Sequence, residues 1–164
     1  MIDKIRIPRR RIPILLEKKK EIEEATNTKI KLNDEITIEG ESIEMMDAKN
    51  IIKAIGRGFS SDVALELTDE KKNLCIISLP DDRKKLKRIK SRIIGAEGGS
   101  KKKIEKLTFT YISVYGKTVS IIGNYENVDI ARMAVEKLIR GSPHSNVYRF
   151  IERSFKKIIK GEEV

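Results

Sequence analysis

The sequence contains no tryptophan, one cysteine and one histidine, and these absences exclude several classes of protein. The single cysteine, Cys75, cannot form a disulfide within the chain, which is typical of proteins in a reducing compartment. One cysteine and one histidine also cannot supply the ligands of a zinc site. His144 stands alone in a predicted turn, and no P-loop accompanies it. We therefore expect no catalytic residue, no metal and no cofactor, and hence not an enzyme.

Long apolar stretches are missing as well. No segment approaches the roughly 20 apolar residues that span a bilayer, and residues 1–7 lack the apolar core of a signal peptide. The sequence therefore predicts a cytoplasmic protein with no membrane partner. Aromatic residues make up only 5% of the chain, so its core must be aliphatic.

Acidic residues are outnumbered, 25 against 35 basic ones, and the formal net charge is +10. Such a balance indicates an anionic partner, and nucleic acid before a membrane. The excess is concentrated in the second half of the chain. Residues 1–58 carry a net +2, residues 59–73 a net −2, and residues 74–164 a net +10.

A short glycine loop between two predicted helices is the most informative motif. A basic amphipathic run at residues 82–94 leads into the loop, and a second apolar face begins after it. Glycines allow a sharp turn and let a ligand approach the backbone. The amides that open the second helix suit an anion such as a phosphate. The same pattern is also typical of a plain helix C-cap and turn. The loop reads Gly95-Ala96-Glu97-Gly98, and Gly99, Ser100, Lys101 and Lys102 follow it.

The elements around the loop favour the phosphate-binding interpretation. Alternating apolar residues predict strands at 74–79, 110–115 and 117–122, and helical spacing predicts a helix at 124–140. The order strand, helix, Gly-x-x-Gly, helix, strand, strand, helix resembles a type I KH domain, which implies binding of single-stranded RNA. KH loops usually carry a basic residue between the glycines. Here Ala96 and Glu97 occupy those positions, which gives the neighbouring basic residues more weight.

The first half of the chain repeats this pattern. It predicts a short strand around Ile5, Ile7 and Pro8, a helix at 18–26, strands at 29–32 and 35–39, and a helix at 42–56. The apolar stripe of this last helix is Met45, Ala48, Ile52 and Ile55, and the stripe of the helix at 124–140 is Val128, Ala131, Val135 and Leu138. Ile22, Glu23 and Thr26 match Ile104, Glu105 and Thr108 at an offset of 82 residues (104 − 22), and later positions match at 83. At the loop position the first copy reads Pro13-Ile14-Leu15-Leu16, which cannot cradle a phosphate in the same way. We therefore predict an α+β protein of two tandem type I KH domains, each a three-stranded antiparallel sheet packed against helices, plus a C-terminal helix. The expected boundaries are 1–58 for the first KH domain, 59–73 for a connecting helix, and 74–164 for the second KH domain with its helical extension.

The KH resemblance implies a set of RNA-binding residues in the second domain. The loop would clamp the backbone, the lysines after it would meet phosphates, an aliphatic groove would receive about four bases, and arginines would flank the track. The tail at 143–149 would either extend this surface or simply close the domain with an extra helix, and some of the apolar residues would be ordinary core. The candidates are Gly95, Ala96, Glu97, Gly98, Gly99, Ser100, Lys101 and Lys102 for the clamp and helix start, Ile94, Ile104, Leu107, Ile112 and Val114 for the groove, Arg88 and Arg92 for the flanks, and Pro143, His144, Ser145 and Arg149 for the tail.

Two further segments narrow the resemblance. These are residues 55–59, Ile-Gly-Arg-Gly-Phe, and residues 141–148, Gly-Ser-Pro-His-Ser-Asn-Val-Tyr. With a first KH that lacks the glycine loop and a second that has it, the chain resembles the archaeal form of the Dim/Pno-like family of small-subunit ribosome assembly factors. The family implies binding near the 3′ end of small-subunit ribosomal RNA, a Nob-type endonuclease as partner, and the alpha subunit of initiation factor two as another.

The first KH domain would then brace the second or contact protein, with Ile14, Leu15 and Leu16 as candidate contacts. The alternative is a module that docks to ribosomal or translation-factor protein and attracts RNA only through its charge. Glu97 inside the loop favours this alternative. A reader of double-stranded DNA is disfavoured because nothing resembles a helix-turn-helix.

Overall fold

The computed structural model describes residues 1–161, and the chain divides into two compact units. The first unit is Met1–Leu74 and the second begins at Cys75. Each unit contains a three-stranded antiparallel sheet covered by helices, and the second ends in an additional long helix. The predicted α+β class, the tandem KH arrangement and the C-terminal helix are confirmed. The last three residues of the range predicted for the second domain, 162–164, lie outside the described residues.

The first unit has the sheet order β1-β3-β2, with both pairs antiparallel. Its helices lie between and after the strands, as in the predicted repeat. In chain order its elements are β1 (Ile2–Ile5), a 3-10 turn (Arg9–Arg11), α1 (Ile12–Glu17), α2 (Lys19–Thr26), β2 (Lys29–Leu32), β3 (Ile36–Glu39), α3 (Ser42–Gly56), α4 (Ser61–Leu65) and a second 3-10 turn (Glu66–Thr68).

The second unit has the equivalent order, β4-β6-β5. Its strands lie before and after a pair of helices in the chain, and these two helices meet at the glycine loop. The elements are β4 (Lys72–Ser78), α5 (Arg83–Ile94), a 3-10 turn (Ala96–Gly98), α6 (Gly99–Thr108), β5 (Tyr111–Tyr115), β6 (Thr118–Asn124), α7 (Tyr125–Ile139) and α8 (His144–Ile159).

The core of each unit is aliphatic, as the composition requires. On α7 the predicted stripe of Val128, Ala131, Val135 and Leu138 is at most 1% exposed. The predicted stripe of α3 is buried in the same way, since apolar residues three or four positions apart share one face of a helix. No helix within residues 1–161 is both long enough and apolar enough to cross a membrane.

The repeat extends to individual polar contacts. In the first unit the carboxylate of Glu23 accepts a hydrogen bond from the backbone N–H of Ile30 at 2.9 Å, and the Thr26 and Thr28 hydroxyls lie 2.8 Å apart. The second unit makes the same contacts at 2.9 and 2.7 Å. These bonds join the second helix of each unit to the strand that follows it, which fixes the packing of helix on sheet in both copies. The matching pairs are Glu105 with Ile112, and Thr108 with Thr110.

Three boundaries differ from the sequence predictions. The first strand is Ile2–Ile5 and not the segment around Ile7 and Pro8, since Pro8 instead begins the 3-10 turn by accepting from the Arg11 N–H at 2.9 Å. The helix expected over 18–26 is preceded by a separate helix, α1, and the chain bends at Lys18 between them. Residues 59–73, the expected connector, are grouped with the first unit, where Leu67 is buried.

Candidate nucleic-acid interface

The backbone of the glycine loop has φ and ψ angles that residues with a side chain rarely adopt. Gly95 has φ 74° and ψ 178°, a region that is essentially restricted to glycine. A Cβ at Gly95 would also lie 2.7 Å from the Cβ of Ser100. Glu97 and Gly98 have φ values of 54° and 75°, so the chain reverses sharply within four residues. Because of this reversal, Ala96 and Glu97 are exposed at the tip.

The loop delivers the chain directly to the first turn of α6. Gly98 is the residue before this helix and has no side chain to cap its first amides. Uncapped amides and the positive end of the helix dipole favour an anion there. Ser100 is 6% exposed and packs beneath the loop, so its side chain is not available on the surface. The phosphate-binding chemistry predicted for this segment therefore falls to the backbone and to the lysines.

The three consecutive lysines near the start of α6, Lys101–Lys103, differ in their contacts. Lys101 is paired with the Glu105 carboxylate at 3.1 Å, and the Lys103 ammonium lies 4.2 Å from the centre of the Tyr148 ring. Lys102 is exposed, and its Cε lies 3.7 Å from where a Cβ of Gly98 would be. Lys102 is therefore the lysine whose side chain lies beside the loop.

The two arginines predicted to flank the RNA track have different roles. Arg92 donates from Nε to the Leu138 carbonyl at 3.2 Å and from Nη2 to the Ser142 carbonyl at 2.5 Å. These bonds hold its guanidinium at the C-terminal end of α7, and the prediction that Arg92 flanks the RNA track stays a prediction. Arg11 makes the equivalent bonds in the first unit, to the carbonyls of Ile55 and Phe59. Arg88 is exposed on the basic side of α5.

The tail lies against the end of α5, beside the loop. The Nε2 of His144 lies 2.9 Å from the Arg92 carbonyl oxygen, so the start of α8 is fixed next to the last turn of α5. Pro143 and Ser145 are exposed there. Arg149, one turn further along α8, donates to the Asn146 side chain at 2.9 Å and is also exposed.

The apolar groove candidates separate into buried and accessible residues. Ile104 is 0% exposed and Ile112 is 3% exposed, so they belong to the core and cannot form a groove floor. Leu107 is partly buried and lines an apolar pocket beside α8 together with Phe109 and Ile159. Ile94 and Val114 are partly exposed and remain predictions.

The first unit has a helix where the second has its loop. Leu15, one of three residues predicted to contact a protein, is 0% exposed and packs in the core, so that prediction is wrong. Ile14 is half-buried and Leu16 is 54% exposed. Leu16 lines an open cavity of about 830 Å³ together with Ile12 and Pro13.

A charged carboxylate lies on the rim of this cavity. Glu35 lies 2.9 Å from Arg6 and 3.1 Å from Lys4. Hydrogen bonds from Arg6, and then from Lys4, lower the pKa of Glu35 below its ordinary value of 4.5. Glu35 is therefore an ion-paired carboxylate in a cavity whose lining is both polar and apolar.

The sequence reasoning identified only one member of a further surface, Arg149. A cleft of about 490 Å³ lies between α7 and α8, and its lining is strongly basic. The signal was the repeat of basic residues every four positions along α8, which places them on one helix face. The lining residues are Lys137, Asn146, Arg149, Phe150, Arg153, Ser154 and Lys157.

Comparison with known proteins places these features in context. Residues 70–156 match the second KH domain of PNO1, a eukaryotic type KH-domain (KH-domain type I). The chain is 38% identical to a KH domain-containing protein of Methanocaldococcus jannaschii, over 96% of this chain and 75% of that one. It is 30% identical to the pre-rRNA-processing protein PNO1 of Coccidioides immitis, over 73% of this chain and about half of that relative, 53%.

A solved structure is also similar to nearly the whole chain. It is the a/eIF2alpha–aDim2p–rRNA complex from Pyrococcus horikoshii, whose matching chain is 41% identical to this one. The match covers 96% of this chain and 95% of that one, with a TM-score of 0.87. The tandem arrangement of the two units is therefore shared with a protein that has been seen together with ribosomal RNA.

Proposed function

The chain belongs to the PNO1 family of type I KH-domain proteins, and from that premise we propose that it is an RNA-binding factor of small-subunit ribosome assembly. Its second KH domain grips single-stranded RNA near the 3′ end of small-subunit ribosomal RNA. The first KH domain braces the second or contacts protein. The function is recognition and positioning of RNA in the cytoplasm, with no chemical step of its own.

The observation that carries this proposal is the backbone of the glycine loop. Position 95 requires glycine because of its φ and ψ, and because a Cβ there would lie 2.7 Å from the Cβ of Ser100. Strained positions of this kind cost free energy, and they are typical of ligand clamps. Gly98 has φ 75° but open space around it, so it leaves room for a ligand as well as for the turn. Lys102 is the basic side chain beside it, with its Cε 3.7 Å from where a Cβ of Gly98 would be.

Family membership supports the choice of RNA. The Pyrococcus horikoshii relative is described in a complex with ribosomal RNA, and the fungal relative is a pre-rRNA-processing protein. Type I KH domains receive single-stranded bases while the loop holds the backbone. The aromatic-poor sequence suits this mode, because it depends on an aliphatic groove more than on stacking.

Two protein partners belong to the proposal. The Pyrococcus relative shares its complex with a/eIF2alpha, which supports the alpha subunit of initiation factor two as a partner of this chain. A Nob-type endonuclease is proposed from the family resemblance alone. The exposed Leu16 and the half-buried Ile14, beside the open cavity of the first unit, are the residues proposed to contact protein.

The alternative function is a module that docks to ribosomal or translation-factor protein and attracts RNA only through its net charge. Glu97 is the observation that favours it, since it is exposed at the loop tip and would repel a phosphate. The two functions differ in their response to RNA sequence and salt. Charge attraction falls steeply with salt for every sequence, whereas contacts to bases leave a preference between sequences.

The test is binding of the protein to a short single-stranded RNA that copies the 3′ end of small-subunit ribosomal RNA, beside a scrambled RNA. A Gly98→Asp variant places a negative charge in the loop at an open position, and aspartate tolerates positive φ better than most residues. Gly161→Asp is the matched control, because Gly161 also has φ 75° and nothing within 4 Å. We expect a preference for the native RNA that Gly98→Asp abolishes and Gly161→Asp keeps. Equal binding by all three proteins to both RNAs would contradict the proposal and favour the docking module.

A further inference from the structure

The cleft between α7 and α8 is a concentration of unpaired positive charge. Four of its lining side chains are cationic, and none of its described lining residues is acidic. Within residues 1–161 these four cations form no ion pair; Lys137 instead lies 4.7 Å from the Phe150 ring centre. The four are Lys137, Arg149, Arg153 and Lys157.

The other cation of α7 is paired. Arg132 lies 3.1 Å from Glu136, and Arg140, directly after α7, lies 3.7 Å from the same residue. The acid that α8 carries, Glu152, lines the apolar pocket on the side of α6 and does not line the cleft. Like charges four residues apart destabilise a helix by about 0.2–0.5 kcal/mol per pair. The row on α8 is therefore unfavourable for the isolated helix and suits an anion held between α7 and α8.

The regular spacing of the positive charges along α8 favours a linear polyanion as the ligand. Arg149, Arg153 and Lys157 follow one another every four residues, a rise of about 6 Å per step along the helix axis. A nucleic-acid strand carries one negative charge per nucleotide, so a row of cations can follow a row of phosphates.

The helix that carries the row of cations begins beside the glycine loop. His144, at the start of α8, contacts the last turn of α5 through the Arg92 carbonyl. The row of cations begins one turn later, at Arg149. From His144 to Lys157 the helix extends about 20 Å. The aromatic residue of the lining, Phe150, has its ring beside the Lys137 ammonium, so the cleft offers positive charge more than a face for base stacking.

We propose that this cleft is a second RNA site, which binds backbone phosphates independently of sequence and continues the path of RNA held at the glycine loop. The inference rests on the proposed function, because it assigns a further part of the same RNA to a separate surface. The loop supplies sequence preference, and the cleft lengthens the bound segment and adds affinity.

The test uses two RNAs and two double variants of the full-length protein. The short RNA is about six nucleotides, enough for the roughly four bases of a KH groove, and the long RNA extends it by about ten nucleotides. Arg153→Gln with Lys157→Gln removes two charges from the cleft. Lys156→Gln with Lys160→Gln removes two equally exposed charges from the same helix, and neither of these lysines lines the cleft. Thermal unfolding of each variant confirms that it is folded.

We expect the cleft variant to bind the short RNA as the wild type does. On the long RNA, the slope of log K against log salt concentration should be less negative by about 1.4 for this variant. Each phosphate contact that is lost to a single strand reduces the magnitude of the slope by about 0.7. The control variant should keep the wild-type slope. Equal losses in both double variants would overturn the inference, because net charge alone would then explain them.

The same experiment separates this inference from the proposed function. If the wild type binds the short RNA no better than Gly98→Asp does, the proposed function fails. The comparison of the two double variants on the long RNA still decides whether the cleft binds phosphates.

Discussion

The alanine substitution of Gly95 is the sharpest test of the loop geometry. At φ 74° and ψ 178° a residue with a side chain is strained by about 1–3 kcal/mol. The new Cβ would also lie 2.7 Å from the Cβ and 2.8 Å from the N of Ser100, and forced overpacking costs about 1–3 kcal/mol. Ser100 is buried and cannot move aside freely. We therefore expect Gly95→Ala to destabilise the second unit by roughly 2–6 kcal/mol.

The neighbouring glycines provide matched controls. Gly98 has φ 75° but no atom closer than 3.7 Å, so Gly98→Ala should cost only the left-handed strain of about 1–2 kcal/mol. Gly99 is helical, with φ −62° and nothing within 4 Å. Gly99→Ala should therefore stabilise by about 0.4–1 kcal/mol. The predicted order of stability is Gly99→Ala, wild type, Gly98→Ala, Gly95→Ala.

Tyrosine fluorescence during urea unfolding measures these changes in the second unit alone. The protein has no tryptophan, and its four tyrosines all lie after the first unit. The midpoint of the transition should shift while its slope is retained. A Gly95→Ala protein as stable as Gly98→Ala would refute the argument, because the close approach of Ser100 would then carry no cost. The tyrosines are Tyr111, Tyr115, Tyr125 and Tyr148.

Three further predictions concern packing, capping and pH. Leu15→Ala should destabilise the first unit by about 2–5 kcal/mol in urea unfolding followed by circular dichroism, while Leu16→Ala should change it little; equal effects would contradict the burial of Leu15. Arg92→Met removes two hydrogen bonds to backbone carbonyls, so it should lower the free energy of unfolding by about 1.5–3 kcal/mol, measured by tyrosine fluorescence. Arg88→Met, at an exposed position, should change it by no more than about 0.5 kcal/mol. A larger loss from Arg88→Met than from Arg92→Met would refute the capping role. Glu35 has a lowered pKa in the folded state, so its contribution is present above about pH 4.5 and is lost as the pH falls through the folded value. Glu35→Gln should therefore lose less stability than the wild type between about pH 6 and pH 3, and identical pH profiles would show that the contacts of Glu35 with Arg6 and Lys4 contribute nothing.

Much of the fold follows from local pattern. The predicted bounds of β2 and α3 coincide with Lys29–Leu32 and Ser42–Gly56, because alternation and helical spacing are strong there. The repeat offsets were also informative. Glu23 and Glu105, paired by sequence alone, make the same bond to a strand N–H in both units.

The errors arise where a distant segment decides the environment of a residue. Ile104 and Ile94 are both apolar and lie on either side of the loop, and only packing against the rest of the unit buries the first completely. Arg92 bonds to carbonyls 46 and 50 residues away, for which its local sequence holds no signal. Arg11 makes the equivalent bonds in the first unit, but the sequence offset of 82 residues pairs Arg92 with Arg10 (92 − 82), so comparison of the two copies would not have identified it. The cleft was missed for the same reason, because Lys137 and Arg153 meet only when α8 packs on α7.

Backbone amide NMR with a short RNA tests the central claim most directly. The account predicts that the 3′-end RNA shifts the amide signals of Gly95, Gly98 and Lys102 in the second unit. The helix that replaces the loop in the first unit, Ile12–Glu17, should remain unchanged. Shifts confined to the first unit, or spread evenly over basic residues of both units, would contradict the account, because the glycine loop would then not be the part of the molecule that holds RNA.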